Sequence, residues 1–417
     1  MKKRICLIFT SLLLIAAIAT NAIGCAARVH ATDLMEGYVA NSVEGVEDLS
    51  EGSLEITDFA VRLFQASNEG GNTLISPLSV LCALAMTLNG AEGETREEME
   101  ATLGMSTEEL NNYIYSYINA LPQGEKYKLS LANSIWFTED ESFDVNEQFL
   151  QTNKDYYDAD VYAAPFNDRT LKDINSWVKN ETDEMIPKVL DEIPADAVMY
   201  LINALAFEAE WSKIYEKHEV RNGVFTREDG NEENVEFMYS REGSYIESDN
   251  AKGFIKSYKG GKYAFVALLP NEGVSLSDYI AALDGEKISD LISSPEYVTV
   301  NAAIPKFENE IDIAMSDVLR EMGIEQAFDV DEADFGGLGT STEGNIYISN
   351  VIHKTFISVA EKGTRAGAVT AIEVGGDTSA GAPTEIKEVY LNRPFVYMLI
   401  DTETNIPFFI GSQMSIN

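Results

Sequence analysis

Hydrophobic residues recur at three- and four-residue intervals from Ile56 onward, a spacing typical of helices with one buried face. Ser76-Pro77 predicts the start of a second helix, because serine is a favoured N-cap and proline fits the first helical turn. Residues 78–88 are apolar on nearly all sides, so we expect this helix to be buried and to end at Gly90.

Two more helices are predicted from capping and spacing signals. Thr95 and Glu98 have the spacing of a capping box, which indicates a third helix closed by Gly104. Apolar residues over 311–322 follow helical spacing and stop at Gly323, so we expect another helix there.

Continuous apolar runs in the middle and at the end of the chain indicate buried strands. They cover residues 200–207, 263–269, 298–304, 395–400 and 408–410. No internal repeat and no proline-rich linker divides residues 53–417. One large domain of the mixed α/β class is therefore predicted.

The N-terminal residues have the features of a processing signal. Residues 1–24 combine a basic start with a short apolar core, which is typical of a signal peptide. The stretch Ala22-Ile23-Gly24-Cys25 resembles a bacterial lipobox, which implies that Cys25 is lipidated and becomes the new N-terminus. Ordinary signal cleavage is the alternative. Residues 25–52 are acidic and weakly periodic, and we interpret them as a tether between the anchor and the domain.

The charge balance excludes one class of partner. The chain has 30 basic and 69 acidic residues, a formal net charge of −39. Such a charge repels phosphate backbones and anionic lipids, so we expect no nucleic acid partner. With Cys6 in the signal and Cys25 in the lipobox, Cys82 is left as a single thiol and is interpreted as a small buried hydrophobe.

One long segment does not fit a regular element. From Gly363 to Pro383 the chain is rich in small residues and has few large apolar side chains, which predicts an exposed loop open to proteolysis. A loop of this length inside a compact domain is usually functional.

Catalytic and metal-binding motifs are absent from the sequence. The histidines are His30, His218 and His353, and no Gly-x-Ser-x-Gly, His-Glu-x-x-His, CxxC or glycine-rich phosphate loop occurs. We therefore predict that the protein is not an enzyme, has no catalytic residues and needs no metal or cofactor.

Several motifs, in order along the chain from about Ile56 to the end, resemble those of the serpin family. They are Asn72-Thr73-Leu74-Ile75-Ser76-Pro77-Leu78-Ser79, Asn89-Gly90-Ala91, Ala132-Asn133-Ser134-Ile135-Trp136, Asn203-Ala204 with Phe207 and Trp211, Ile304-Pro305-Lys306-Phe307, Ala333-Asp334-Phe335, His353-Lys354-Thr355 and Arg393-Pro394-Phe395. The resemblance implies a fold of three β-sheets and about nine helices with an exposed reactive-centre loop, here residues 361–387.

The resemblance also assigns two clusters of residues. The first, called the shutter, lies under the point where the main sheet opens and consists of Ser76, Ser79, Asn203 and His353. The second, called the breach, lies where loop insertion begins and consists of Trp211, Lys306 and Glu361. Lys306 and Glu361 are expected to form an ion pair at the base of the loop.

The start of the loop resembles the hinge of inhibitory serpins. The residues that match the hinge are Glu361, Gly363, Thr364, Ala366, Gly367, Ala368 and Thr370. If the loop inserts as a strand, alternate side chains face the core. The inward set would begin with Thr364 and contain mostly small residues, a pattern that favours rapid insertion.

The resemblance implies a suicide-substrate inhibitor of extracellular serine proteases. A protease would cleave the loop, and insertion of the loop into the sheet would trap the acyl-enzyme before hydrolysis. The protein is expected to be a monomer that contacts the membrane only through its N-terminal lipid. A non-inhibitory serpin, acting as a carrier or surface protein, and an inhibitor of cysteine proteases are the alternatives.

The position of the reactive bond follows from family spacing. Counting from Glu361 places it at Asp377-Thr378, whereas counting back from Arg393 places it near Pro383. The forward count is preferred, because sheet length fixes the depth of insertion. Small side chains and the absence of Lys or Arg between Arg365 and Lys387 favour an elastase-like target. The window for cleavage is Gly376, Asp377, Thr378, Ser379 and Ala380.

Overall fold

The computed structural model describes residues 29–416 except 122–123, 140–142, 183, 195–196, 343 and 366–385. These residues contain nine α-helices. They are α1 (Ser53–Ala66), α2 (Pro77–Leu88), α3 (Gly93–Leu103), α4 (Thr107–Ala120), α5 (Glu147–Tyr157), α6 (Asp168–Glu181), α7 (Leu276–Ala281), α8 (Gly285–Ser293) and α9 (Met315–Glu321). None of the described helices is long and apolar enough to span a membrane.

The strands form three main sheets and a small two-stranded one. In spatial order, the large sheet contains β1 (Thr32–Asp33), β5 (Asp160–Ala164), β3 (Tyr127–Thr138), β6 (Met199–Glu210), β16 (Gly363–Arg365), β15 (Asn350–Ala360) and β13 (Phe307–Ala314). The six-stranded sheet contains β2 (Thr73–Ile75), β19 (Pro407–Gln413), β18 (Phe395–Asp401), β11 (Tyr263–Pro270), β10 (Ala251–Ser257) and β9 (Ser244–Glu247). The four-stranded sheet contains β17 (Ile386–Tyr390), β12 (Thr299–Pro305), β8 (Glu232–Glu242) and β7 (Val220–Thr226), and the small one pairs β14 (Gly339–Ser341) with β4 (Phe143–Val145). The predicted mixed α and β fold is confirmed.

Helix α2 is the centre of the core. Every residue of this helix is buried, and it packs against both β6 of the large sheet and β19 of the six-stranded sheet. Its N-terminus is organised as predicted, since the Ser76 hydroxyl accepts a hydrogen bond from the Ser79 backbone N–H and Pro77 occupies the first turn. The helix ends at Leu88, just before Gly90.

The capping box predicted at Thr95 and Glu98 is wrong, because α3 begins earlier, at Gly93. The Thr95 hydroxyl instead accepts from the backbone N–H of Asp334 at 2.9 Å, and the Glu98 carboxylate accepts from two backbone N–H groups at residues 325 and 326. Both side chains therefore bind distant loops that the local sequence pattern does not reveal. A capping box does occur at the next helix, between Ser106 and Glu109.

The helix predicted over residues 311–322 is only partly present. Residues 307–314 form strand β13 and α9 follows it at Met315. Acidic residues alternate with apolar ones at the end of β13, a period of two that is typical of a strand exposed on one face. The antiparallel ladder with β15 supplies the hydrogen bonds that override the weak helical spacing.

Residues 29–52, the described part of the tether predicted over 25–52, pack along the domain. Strand β1 pairs antiparallel with the edge strand β5, and the Met35 side chain is buried. Farther along, the Val46 N–H donates to Ser116 Oγ at 2.8 Å, and Leu49 O accepts from Tyr113 Oη at 3.0 Å. Several apolar side chains of this segment pack against the core at irregular spacing, and the open edge of β5 supplies backbone hydrogen bonds, so the local sequence pattern did not reveal this packing.

Candidate functional site

The first residues of the predicted loop lie inside the large sheet. Strand β16 (Gly363–Arg365) pairs antiparallel with β15 on one side and with β6 on the other. Below it, β6 and β15 pair with each other directly, through Tyr200–Ile202 and Asn350–Ile352. The two central strands are thus separated at one end by three loop residues and joined at the other end.

Thr364 faces the core from this inserted position. Its side chain is 2% exposed, and its hydroxyl forms a hydrogen bond with the Tyr258 hydroxyl. The backbone of the preceding Gly363 lies very close to that of β6, since a Cβ atom at this position would be 1.9 Å from Ala209 O. The opening between β6 and β15 therefore accommodates a glycine followed by a small polar side chain.

The breach tryptophan holds the turn that connects β15 to β16. The Trp211 backbone N–H donates to Lys362 O at 2.8 Å, and its indole Nε1–H donates to Ala360 O at 2.9 Å. The Tyr215 N–H donates to Glu361 O at 2.9 Å. Three consecutive carbonyls at the base of the loop are thus bound by one short segment, 211–215.

The predicted ion pair of the breach is present and has a third member. Lys306 Nζ lies 2.9 Å from Glu361 Oε1 and 3.0 Å from Glu236 Oε2. Partial burial alone would raise the pKa of the Glu361 carboxyl. The hydrogen bond from Lys306 acts in the opposite direction, and the net effect is a lowered pKa. Because the pair is about one-third exposed, its contribution to stability is expected to be about 1 kcal/mol or less.

His353 of the shutter is buried on β15, at the point where the direct pairing between β6 and β15 ends. Its Nε2 accepts a hydrogen bond of 3.0 Å from the backbone N–H of Ser76. The Ser76 backbone thus binds the imidazole, while the Ser76 hydroxyl caps α2 by accepting from the Ser79 N–H. Burial lowers the pKa of His353 to about 4, so the ring is neutral at pH 7.

The other shutter residues surround the same region. Ser79 is buried in the first turn of α2, and Asn203 lies in β6 opposite Asn133 of β3. The shutter therefore joins the N-terminus of α2 to β15, beside the strand β6 from which β15 separates.

Sequence analysis missed a polar group beside Trp211. It consists of Lys256 on β10, Glu242 and Ser240 on β8, and Tyr215. The available signal was that Lys256 is two residues from Phe254, so on a strand the two side chains share a face, and the large apolar Phe254 indicates that this face is buried.

Other predicted site residues lie outside the described part of the chain. They are Cys25, Ala366, Gly367, Ala368, Thr370, Gly376, Asp377, Thr378, Ser379 and Ala380. Among the described residues, no group of three or more His, Cys, Asp or Glu side chains is arranged to hold a metal ion.

Comparison with known proteins identifies the family. The family model described as serpin (serine protease inhibitor) matches residues 54–416. A curated relative, an uncharacterized serpin-like protein from Thermococcus kodakarensis, is 28% identical over 371 residues, covering 86% of this chain and 84% of the relative.

Two solved structures of the thermophilic serpin tengpin also match. The native-state structure is 48% identical, covers 93% of this chain and 100% of its own, and has a TM-score of 0.88. The latent-state structure is 44% identical, covers 90% of this chain and 100% of its own, and has a TM-score of 0.79. This chain belongs to the serpin family.

Proposed function

We propose that the protein is a suicide-substrate inhibitor of extracellular serine proteases, with an elastase-like target. The observation that carries the proposal is β16, because three loop residues already occupy the position from which insertion would proceed. The burial of Thr364, a predicted hinge residue, supports the proposal. After cleavage, the following Ala366, Ala368 and Thr370 would enter on the same face.

The comparison with tengpin supports a fold with a second accessible state. That serpin is described in a native and a latent state, and the present structure agrees better with the native one, at TM-scores of 0.88 and 0.79. By analogy, the described arrangement is the kinetically trapped form, and loop insertion is the downhill step that inhibition uses.

The proposed function predicts which proteases are trapped and where they cut. We expect a covalent complex that survives denaturing electrophoresis with an elastase-like protease, because the loop offers small side chains from Gly376 to Ala380. Mass spectrometry of the released C-terminal peptide should show a start at Thr378, Ser379, Ala380 or Gly381. Efficient trapping of trypsin would contradict this specificity, since the loop has no Arg or Lys from residue 366 to 386.

We further propose that Cys25 anchors the protein to the outer surface of a bacterial membrane. Only residues 26–31 separate Cys25 from β1, which begins at Thr32 and pairs with β5 of the domain. A lipid on Cys25 would therefore hold the domain close to the bilayer.

The anchor is tested by expressing the full chain in a bacterium that processes lipoproteins. The wild-type protein should partition into a detergent phase, and Cys25→Ser should move it to the aqueous phase. Equal partitioning of the two proteins would contradict lipidation and favour ordinary signal cleavage.

A further inference from the structure

Lys256 is a buried cation close to the base of the loop. Its side chain is 3% exposed, and it is the only lysine or arginine among the described residues that is buried. Moving an ammonium group out of water costs several kcal/mol unless it is paired. The partner is Glu242, whose Oε1 lies 2.8 Å from Lys256 Nζ.

Two aromatic rings complete the environment of this ammonium group. Lys256 Nζ lies 4.6 Å from the ring centroid of Tyr215 and 5.3 Å from that of Trp211. Both distances are within the range of cation–π attraction, which is stronger when the cation is desolvated. The ion pair thus supports the two residues whose backbones bind the loop base.

Glu242 is connected to the same segment from the other side. Its Oε1 accepts a hydrogen bond of 2.5 Å from Ser240 Oγ, and that hydroxyl lies 3.2 Å from Tyr215 Oη. Trp211 also stacks on Tyr258 at 4.4 Å, and Tyr258 bonds to Thr364. Contacts therefore run without interruption from the buried ion pair to the inserted hinge.

We propose that the Lys256–Glu242 pair is a positioning element that keeps Gly363–Arg365 in register between β6 and β15. It acts through segment 211–215, which binds the carbonyls of Ala360, Glu361 and Lys362. With the register fixed before cleavage, the rest of the loop enters the sheet from a defined start. The kinetic part of this inference rests on the proposed inhibitory function, and the structural part does not.

Hydrogen exchange of the intact protein tests the structural part. We compare Lys256→Met and Glu242→Gln with the control Lys262→Met, whose 3.7 Å pair with Glu403 is exposed. In both test variants the amides of residues 363–365 should exchange at least about tenfold faster, because loss of the pair allows local opening. The control should match the wild type.

Exchange in β18 serves as the folding standard, since this buried strand is distant in the chain from the altered positions. Glu242→Gln preserves side-chain size and provides the test if Lys256→Met does not fold. If the amides of residues 363–365 exchange at the wild-type rate in test variants that are folded, the proposal is overturned.

The stoichiometry of inhibition tests the kinetic part. With a protease that the wild type traps, both test variants should need several-fold more inhibitor per protease, at an unchanged rate of loop cleavage. Faster exchange with unchanged stoichiometry would overturn the claim that the register controls insertion. If the wild type traps no protease, the proposed function fails, and hydrogen exchange still decides the positioning role.

Discussion

Replacing Thr364 with arginine should convert the inhibitor into a plain substrate. Thr364 is buried in the intact sheet, and its hydroxyl bonds to the buried Tyr258. An arginine must either be buried without a partner, at a cost of several kcal/mol, or hold the hinge out of the sheet. Insertion after cleavage then becomes too slow to trap the acyl-enzyme. Gel electrophoresis should show complete loop cleavage and no covalent complex.

Thr364→Ser is the matched control, because it keeps the hydroxyl that bonds to Tyr258 and reduces side-chain size. It should inhibit nearly as well as the wild type. A Thr364→Arg protein that forms complex at the wild-type yield would show that insertion past this position does not drive inhibition.

Removing the imidazole of His353 should destabilise the closed sheet. His353→Ala leaves a cavity and an unpaired Ser76 N–H at the buried start of α2, with an expected cost of about 2–4 kcal/mol. Because His353 lies where the direct pairing between β6 and β15 ends, the loss should ease separation of these strands. We expect loop-linked polymers on mild heating, detected by native gels and size-exclusion chromatography.

The pH dependence of stability provides the control for this variant. The pKa of His353 is about 4 in the folded protein, against an ordinary value near 6.5, so the unfolded chain binds the proton more readily between these pH values. The stability of the wild type should therefore fall as pH falls from about 6.5 to 4, by up to roughly 3 kcal/mol from this group. The variant should lack this part of the slope. A variant that stays monomeric and keeps the full slope would contradict the role of His353.

Much of the fold was predictable because its signals are local. Continuous apolar runs identified β11 and β18, and the Ser76-Pro77 pair identified the start of the buried helix α2. The predictions that failed share one cause, which is hydrogen bonding to partners outside the local stretch of sequence. Thr95 and Glu98 bind loops more than 200 residues away in the chain, and such partners leave no trace in local spacing.

The site residues also divide into those that the sequence reveals and those that it does not. Family motifs placed Trp211, Lys306 and His353, since each stands in a recognisable stretch of sequence. The Lys256–Glu242 pair was missed because its members come from two different sheets and belong to none of the motifs. The pairing of Gly363–Arg365 within the large sheet of the uncleaved protein was also missed, because a free hinge and an inserted hinge require the same small residues.

We propose that the intact protein is trapped short of its most stable state, which it reaches by inserting the loop. Calorimetry of the intact protein and of protein cleaved once within residues 376–380 tests this claim most directly. We predict that the cleaved form melts far above the intact form, because insertion adds a full strand to the large sheet and buries its inward side chains. Equal melting temperatures for the two forms would contradict the account.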